Sequence, residues 1–318
     1  MIAYSLDELK RKLKEYEFRT FLVGVRNGEK KVVLRGKIVK FIKENFNAKP
    51  EYNDPEIVII YDVHRDRYEL QVNSLYIFGR YRKLVRGIPQ TIWPCRKCRG
   101  RGCKYCNYKG KLYDTSVQEL IQRVPLEATE GRDAKFHGLG REDIDARMLG
   151  NGRPFVLEII EPKRRYIDLK EIEQKINEFA RGKVEVFNLR FADSSTVRLI
   201  KSVKVDKTYL AIVKFDRDIR EEELEKIKEL EGKIIEQHTP RRVLHRRADK
   251  VRRRMIKEIS SRLLNKNVVE FRITCESGTY VKELISGDEG RTKPSVAEIL
   301  NAKPVKIELD VIRIHDLF

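Results

Sequence analysis

The spacing of apolar residues changes several times along the chain, and each change predicts an element. SLDELKRKLKEYEF sets Ser5 three residues before Glu8. That is the spacing of a reciprocal cap, and it predicts a helix starting near residue 6. VVLRGKIVKFIKENF fits a helix or a strand. EIVIIYDV, residues 56–63, is an apolar run. RYELQVNSLYIFGRYRKL, residues 67–84, alternates on both sides of the polar Asn73 and predicts a pair of strands. Together these elements predict a small α+β domain over residues 1–90.

The pattern then breaks. WPCRKCRGRGCKYCNYKGKLY, residues 93–113, contains hardly an aliphatic side chain. TSVQELIQRVPLEAT resumes helical spacing, and VLEIIEP, residues 156–162, reads as a short buried strand closed by Pro162. In DLKEIEQKINEFARG, Asp168 and Glu171 stand in capping register, and Leu169, Ile172, Ile176 and Phe179 share one face. Gly182 ends this amphipathic helix. KVEVFNLRFADSSTVRLIKSVKVDKTYLAIVKF predicts several strands, and REEELEKIKELEGK, residues 220–233, a second, charged helix. VVEFRITCESGTYVKELI with PVKIELDVIRIHDLF reads as strand, short helix, strand. No regular βαβ period runs through the chain. The predicted class is α+β, built on mixed, largely antiparallel sheet with flanking helices. The predicted divisions are residues 1–90, an insert at 91–113, and a larger domain over 114–318.

Charge narrows what such a protein meets. The 68 Lys and Arg against 49 Asp and Glu leave a net charge of +19. An excess of that size acts first on partners, and nucleic acid is the commonest polyanion. A charge-rich thermophilic surface would explain the total but not its sign or clustering. No apolar run has the length of a membrane helix, and MIAYSLDELKRK lacks the apolar core of a signal peptide. Four of the five cysteines share one cluster instead of being spread as disulfide partners. These features predict a cytoplasmic protein with no membrane partner.

Four stretches carry candidate chemistry. Cys95, Cys98, Cys103 and Cys106 form CxxC-x4-CxxC. Each CxxC can present two thiolates to one metal, and a closed four-thiolate set fits structural zinc. A redox dithiol or plain buried cysteines are the alternatives, and neither requires four cysteines within twelve residues. The surrounding lysines and arginines, with Trp93, Tyr105 and Tyr108 among them, make the knuckle a candidate RNA contact. HTPRRVLHRRADKVRRR, residues 238–254, holds eight basic residues against one acid. Thr239-Pro240 interrupts a helix there, which favours phosphate binding over a solvated helix face. In FRITCESGTYVKELISGDEGRTKPSVAEIL, Cys275 reads as a small buried hydrophobe. Gly278 permits a sharp exit from the strand, and Thr279 is placed to cap the helix that follows. Lys282 would then oppose the helix dipole, which fits either a carboxylate partner or a solvent-facing lysine.

The fourth stretch is HGLGREDIDARMLGNGRPF, residues 137–155. Glu142, Asp143 and Asp145 stand among Arg141, Arg147, Arg153 and several glycines. The stretch reads as a loop, either a solvated turn or a catalytic carboxylate held by arginines. Dinucleotide, HExxH and GxSxG patterns are absent.

GREDIDARMLGNGRPF, CESGTYVKELISGDEGRTKPS and TPRRVLHRRADKVRRR closely resemble the archaeal and eukaryotic tRNA pseudouridine synthase family numbered ten. The likeness runs from about residue 90 to the end of the chain. Residues 1–90 are similar to a THUMP-type RNA-binding domain, without the N-terminal cysteine motif of some relatives. The resemblance implies isomerisation of uridine to pseudouridine in the tRNA T-arm, at standard positions 54 and 55 or one of them. The steps implied are aspartate-dependent glycosidic cleavage, base rotation and reattachment through carbon 5. It implies Asp143 as the catalytic aspartate, Lys282 as its basic partner and Tyr209 as the aromatic that stacks on the base, with Arg141 tuning the aspartate. Leu284 and Tyr280 would line the base pocket. Arg241, Arg242, Arg246, Arg247, Arg252 and Arg253 would form a thumb loop on the RNA, beside Arg291 and Lys293. Zinc at the four cysteines would be structural, with no catalytic cofactor, and the enzyme would act as a monomer on the T-arm and elbow of tRNA. The competing readings are a non-catalytic tRNA-binding protein and another THUMP-linked tRNA-modifying enzyme, the latter disfavoured by the lack of a glycine-rich cofactor loop.

Overall fold

A computed structural model describes the backbone of residues 2–28 and 30–318, and their side chains apart from residues 2–5 and Arg246. In chain order the elements are α1 (Ile2–Leu13), β1 (Thr20–Arg26), α2 (Lys31–Phe46), β2 (Lys49–Pro50), β3 (Ile57–Asp62), β4 (Arg67–Val72) and β5 (Leu75–Lys83). After the cysteine segment come α3 (Val117–Thr129), β6 (Asp133–Gly138), β7 (Arg147–Ile160), α4 (Leu169–Phe179), β8 (Val184–Ala192), α5 (Ser194–Ser202) and β9 (Lys207–Phe215). The rest comprises α6 (Glu221–Leu224), β10 (Ile234–Gln237), β11 (Arg252–Asn265), β12 (Val268–Cys275), α7 (Val281–Ser286), β13 (Thr292–Lys293), α8 (Val296–Leu300) and β14 (Pro304–Ile314).

Two sheets result. The first has the order β2-β1-β3-β4, with α1 and α2 burying Leu9, Leu13, Ile38 and Ile42 against it. The second runs β13-β10-β11-β12-β9-β14-β7-β5-β8, and β6 pairs with β7 outside that path. Its pairs are antiparallel except where β14 meets β7, a parallel contact limited to Asp310↔Arg147 and Val311↔Met148. One core lies on the β5–β8 side under α3, α4 and α5, and a second lies on the β9–β12 side under α7 and α8. The short parallel junction joins these halves. Gly150 is required there, because a Cβ at this position would stand 1.7 Å from the Ile312 carbonyl oxygen.

The two strands expected over 67–84 both form but do not pair. β4 closes the first sheet, and β5 is an interior strand of the second, between β7 and β8. Sheet membership therefore divides the chain at Asn73–Ser74 rather than near residue 90. Asn73 marks the change, its amide donating to the Pro55 carbonyl at 2.5 Å. Periodicity within each strand carries no record of which partner it takes.

Other expectations shift locally. The first helix starts at Ile2, ahead of Ser5. The strand expected at 156–162 begins at Arg147, so half of the glycine-rich loop is extended backbone. A helix, α5, interrupts the strands expected over 183–215. Asp193 caps it by accepting from Thr196 N, and Val197 and Ile200 are buried three residues apart. The charged helix over 220–233 is one turn of α6 followed by a 3-10 segment, Glu225–Leu230. Leu224, Ile227 and Leu230 are buried at a spacing of three, the period of that tighter helix.

Candidate active site

The loop between β6 and β7, residues 139–146, is fixed from below by buried side chains. Lys83 of β5 is fully buried, and its ammonium donates to the carbonyls of Ile88, Asp143 and Ile144 at 3.0, 3.1 and 3.2 Å. Burial lowers its pKa, with Glu142 acting in the opposite direction. Arg153 of β7 donates to the Leu139 carbonyl at 2.6 Å and pairs with Glu142 at 2.9 Å, both side chains being buried. Burial alone would lower the pKa of Arg153, yet the charge of Glu142 holds it raised. Tyr81 donates its hydroxyl to Glu142 at 2.9 Å, and Gln90 bridges the Tyr81 oxygen and the Gly140 carbonyl. The carbonyls of Leu139, Gly140, Asp143 and Ile144 are thus met by the side chains of Arg153, Gln90 and Lys83, which is how such a turn is held in one shape.

The three carboxylates of the loop separate by direction. Glu142 points down into this network. Asp143 points up and is partly exposed, and Asp145 stands at the rim. Arg242 holds Asp143 through both oxygens, at 3.1 and 3.3 Å, and its Nε donates to buried Glu283 at 2.7 Å. Burial would lower the pKa of Arg242, but Glu283 and Asp143 together raise it. The ammonium of Lys282 lies 3.9 Å from Asp143 and bonds directly to Asp145. Burial would raise the pKa of Asp145, and the bond to Lys282 lowers it instead.

The guanidinium that meets Asp143 therefore comes from Arg242, 99 residues away in the basic segment. That of Arg141, expected to tune the aspartate, lies over the Trp93 ring, 5.0 Å from its centroid. Lys282 is the second residue of α7, but Thr279 does not cap that helix. Its hydroxyl donates to the Glu276 carbonyl, and Tyr280 occupies the cap position without a side-chain capping bond.

Above Asp143 opens a cleft of about 730 Å³ at the junction of the two halves of the large sheet. The carboxylate loop forms one wall, Lys207 and Tyr209 of β9 another, and residues 277–282 a third. Tyr209 reaches the cleft, and burial raises its pKa. Tyr280 also lines it. Leu284, expected beneath the base, is fully buried in the core behind α7, and the apolar residues that line the cleft include Val281, Leu309 and Val311 instead. Cys275 is buried in β12, where desolvation pushes its thiol up to about 12.

The basic segment crosses the mouth as a strap. Arg242, Arg247, Arg252 and Arg254 face the cleft, and Arg254 was not among the candidates read from sequence. Arg247 donates to the Tyr280 hydroxyl at 3.1 Å, and Arg252 to Thr239 at 2.9 Å. The other basic residues lie outside the lining. Arg241 pairs with Glu289, Arg253 with Glu236 and Arg291 with Asp249, while Lys293 is exposed on β13. The side chain of Arg246 lies outside the described residues.

Beside the cleft the four cysteines converge, with their sulfur atoms all within 4.8 Å of one another. Cys95–Cys103, Cys98–Cys106 and Cys103–Cys106 are 3.9, 3.8 and 3.8 Å apart. Four thiolates about 2.3 Å from one tetrahedral ion would stand about 3.8 Å apart. Backbone N–H groups of Gly102, Cys103 and Gly110 point at sulfur, as expected where thiolate charge is to be held. Gly110 allows the closure, since a Cβ there would stand 2.3 Å from the Gly100 carbonyl. Tyr105 and Tyr108 are exposed on this knuckle, and Lys97 lies over the Tyr105 ring at 4.5 Å.

The family described as "Pus10, C-terminal" matches residues 76–315. The tRNA pseudouridine synthase Pus10 of Methanocaldococcus jannaschii is 50% identical over 321 residues, covering 96% of this chain and 70% of that protein. Its namesake from Methanothrix thermoacetophila is 48% identical over 274 residues, covering 86% of this chain and 60% of the relative. The Archaeoglobus fulgidus protein of the same name is 44% identical over 330 residues, covering 97% and 90%. A solved Cbf5–Nop10–Gar1 complex is a remote likeness, with a TM-score of 0.38 and 19% identity over 62% of this chain and 45% of that one.

Proposed function

Because the chain belongs to the Pus10 family, we propose that it is a tRNA pseudouridine synthase that isomerises uridine in the T-arm, with Asp143 as the reacting carboxylate. The observation that carries this reading is the setting of Asp143. It is a partly exposed carboxylate on a backbone pinned from below, gripped through both oxygens by Arg242, and open to a cleft walled by Tyr209.

The chemistry follows from that setting. A uridine stacked in a folded tRNA loop must be flipped out to be reached, and an aromatic wall compensates for the lost stacking. Tyr209, which lines the cleft, would supply that contact. Asp143 then attacks the ribose C1′ or takes a proton from the sugar, and in either case the C1′–N1 bond breaks. The uracil rotates and bonds C1′ through C5, as the Asp143–C1′ bond breaks on the first route or as Asp143 returns its proton to the sugar on the second. Its C5 proton is lost and N1 gains one, so the product is an isomer of the substrate. The arginine strap would hold phosphates of the arm, since guanidinium groups suit paired phosphate oxygens.

Zinc is the metal that best fits four thiolates at these separations, with a structural role because no ligand position is left open. The exposed tyrosines of the braced knuckle would offer stacking surfaces to unpaired bases.

Asp143→Asn tests the reading directly. The variant is expected to bind an unmodified tRNA transcript within about twofold of wild type and to form no pseudouridine by mass mapping. Retained modification would overturn the assignment of Asp143. Tight binding by the wild-type chain with unchanged nucleoside composition would instead favour a non-catalytic tRNA-binding protein.

A further inference from the structure

The large sheet buries two lysines beside the carboxylate loop, and their surroundings differ. Lys83 spends its three N–H bonds on three backbone carbonyls. Lys207 is also buried, with 8% of its surface exposed, but among the described residues its ammonium has one acceptor, the Val205 carbonyl at 3.2 Å. An ammonium carries three donors, and leaving donors unmet in a buried site is unfavourable. Lys207 lines the cleft. It lies two residues before Tyr209 on β9, so both side chains leave the same face of the strand. A Cβ on Gly140 would stand 3.9 Å from Lys207 Cε, which sets the lysine against the loop three residues before Asp143.

The charged neighbours do not satisfy it. From β7, Arg153 repels it and is committed to Glu142 and the Leu139 carbonyl. From β12, its cross-strand partner is Cys275, a protonated thiol. Asp206, just before β9, is paired with Lys257. On the opposite wall, Glu142 is taken by Arg153 and Tyr81, and Asp143 by Arg242. Arg254 of β11 adds a further positive charge to the lining.

We propose that Lys207 is a catalytic residue whose ammonium donates to a carbonyl oxygen of the uracil ring stacked on Tyr209 and stabilises the ring as it leaves C1′. This inference rests on the synthase reading above. When the C1′–N1 bond breaks, its electron pair goes to the ring and spreads over N1 and the two carbonyl oxygens. The ammonium donates hydrogen bonds to that charge and transfers no proton. The ring keeps its pair until C5 bonds C1′, loses its C5 proton to solvent and accepts one at N1. A donor aimed at charge that develops only during reaction acts on kcat rather than on binding.

Burial, followed by the charge of Arg153, lowers the pKa of Lys207 to about 8. The ammonium is thus present below that value and lost as pH rises through it, which gives the role a pH signature. In kcat/KM, which reports the free enzyme, the wild type is expected to fall above pH about 8. Lys207→Arg keeps a charge that does not titrate, so its profile should stay level there while a substantial part of kcat is retained. Lys207→Met keeps the length of the side chain and removes the charge. It is expected to lower kcat about 100-fold on saturating tRNA transcript, as loss of an oxyanion donor does, with tRNA affinity within twofold.

The inference is overturned if Lys207→Met keeps kcat within threefold of wild type, or if wild type and Lys207→Arg share the same alkaline limb. Should Lys207→Met fail to fold, the comparison of pH profiles between wild type and Lys207→Arg decides alone. A wild-type chain that binds tRNA and forms no pseudouridine would refute the synthase reading itself. An active wild type with an active Lys207→Met would refute only the role of the lysine.

Discussion

Glu142 and Asp143 are adjacent, chemically alike and opposite in their surroundings. Glu142 lies under the loop with Arg153 and Tyr81, and Asp143 opens on the cleft with Arg242. Removing one partner of a buried ion pair leaves the other charge without compensation, so Glu142→Gln should destabilise the fold by about 3–5 kcal/mol in denaturant unfolding. Asp143→Asn, at a partly exposed position, should change stability by less than about 1 kcal/mol. Equal losses would contradict this division. Arg242 serves two carboxylates with a planar fork, and a lysine cannot reproduce that arrangement. Arg242→Lys is therefore expected to reduce kcat by about tenfold or more while tRNA affinity stays within about threefold, because charge is kept and orientation lost. The three carboxylates and the basic strap were visible in the residues themselves. The pairing of Asp143 with Arg242 was not, since local spacing is silent about contacts between segments 99 residues apart.

At the level of elements, the cysteine knuckle is the segment whose shape depends least on an apolar core. Its buried cluster consists of Cys95, Cys98 and Cys106 with Cys103 against them. A bound ion would contribute most of its folding energy. Cys103→Ser combined with Cys106→Ser should abolish bound zinc, measured by metal analysis of the purified chain, and unchanged zinc would refute the four-cysteine site. The same variant should lose amide protection over residues 95–110 while β7 and β9 keep theirs. Short motifs with fixed spacing, such as this knuckle, are legible from sequence because one turn brings the ligands together. Helix α5 was hidden for the opposite reason. Ser194, Ser195 and Thr196 favour turns locally, and only the cap at Asp193 and burial of Val197 and Ile200 turn them into a helix. The parallel junction of β7 with β14 was equally invisible, yet it creates the cleft.

Across the whole molecule, the two sheets keep separate cores and meet through polar groups. Arg164 donates to the Glu15 carbonyl, and Arg165 N donates to Glu17. Tyr166 donates to Glu56, and the Arg19 guanidinium lies 4.1 Å above its ring. An interface of this character resembles a transient contact more than a shared core. Among the described residues, none of the groups around Asp143 comes from the first sheet. A chain starting at Ser74 keeps all nine strands of the second sheet's path and β6 beside them. It should therefore fold and form pseudouridine at close to the full rate on saturating tRNA. What it loses is the contact that the 15 Lys and Arg of residues 1–73 can make with phosphates, although 12 Asp and Glu offset them and leave only +3 of the net +19 in that part. Each lost phosphate contact lowers the slope of log affinity against log salt by about 1. The shortened chain is expected to show a KM about tenfold higher and a shallower salt dependence. A fall in kcat with unchanged KM would instead mean that the first sheet shapes the active site, and the polar interface would then have to be rigid.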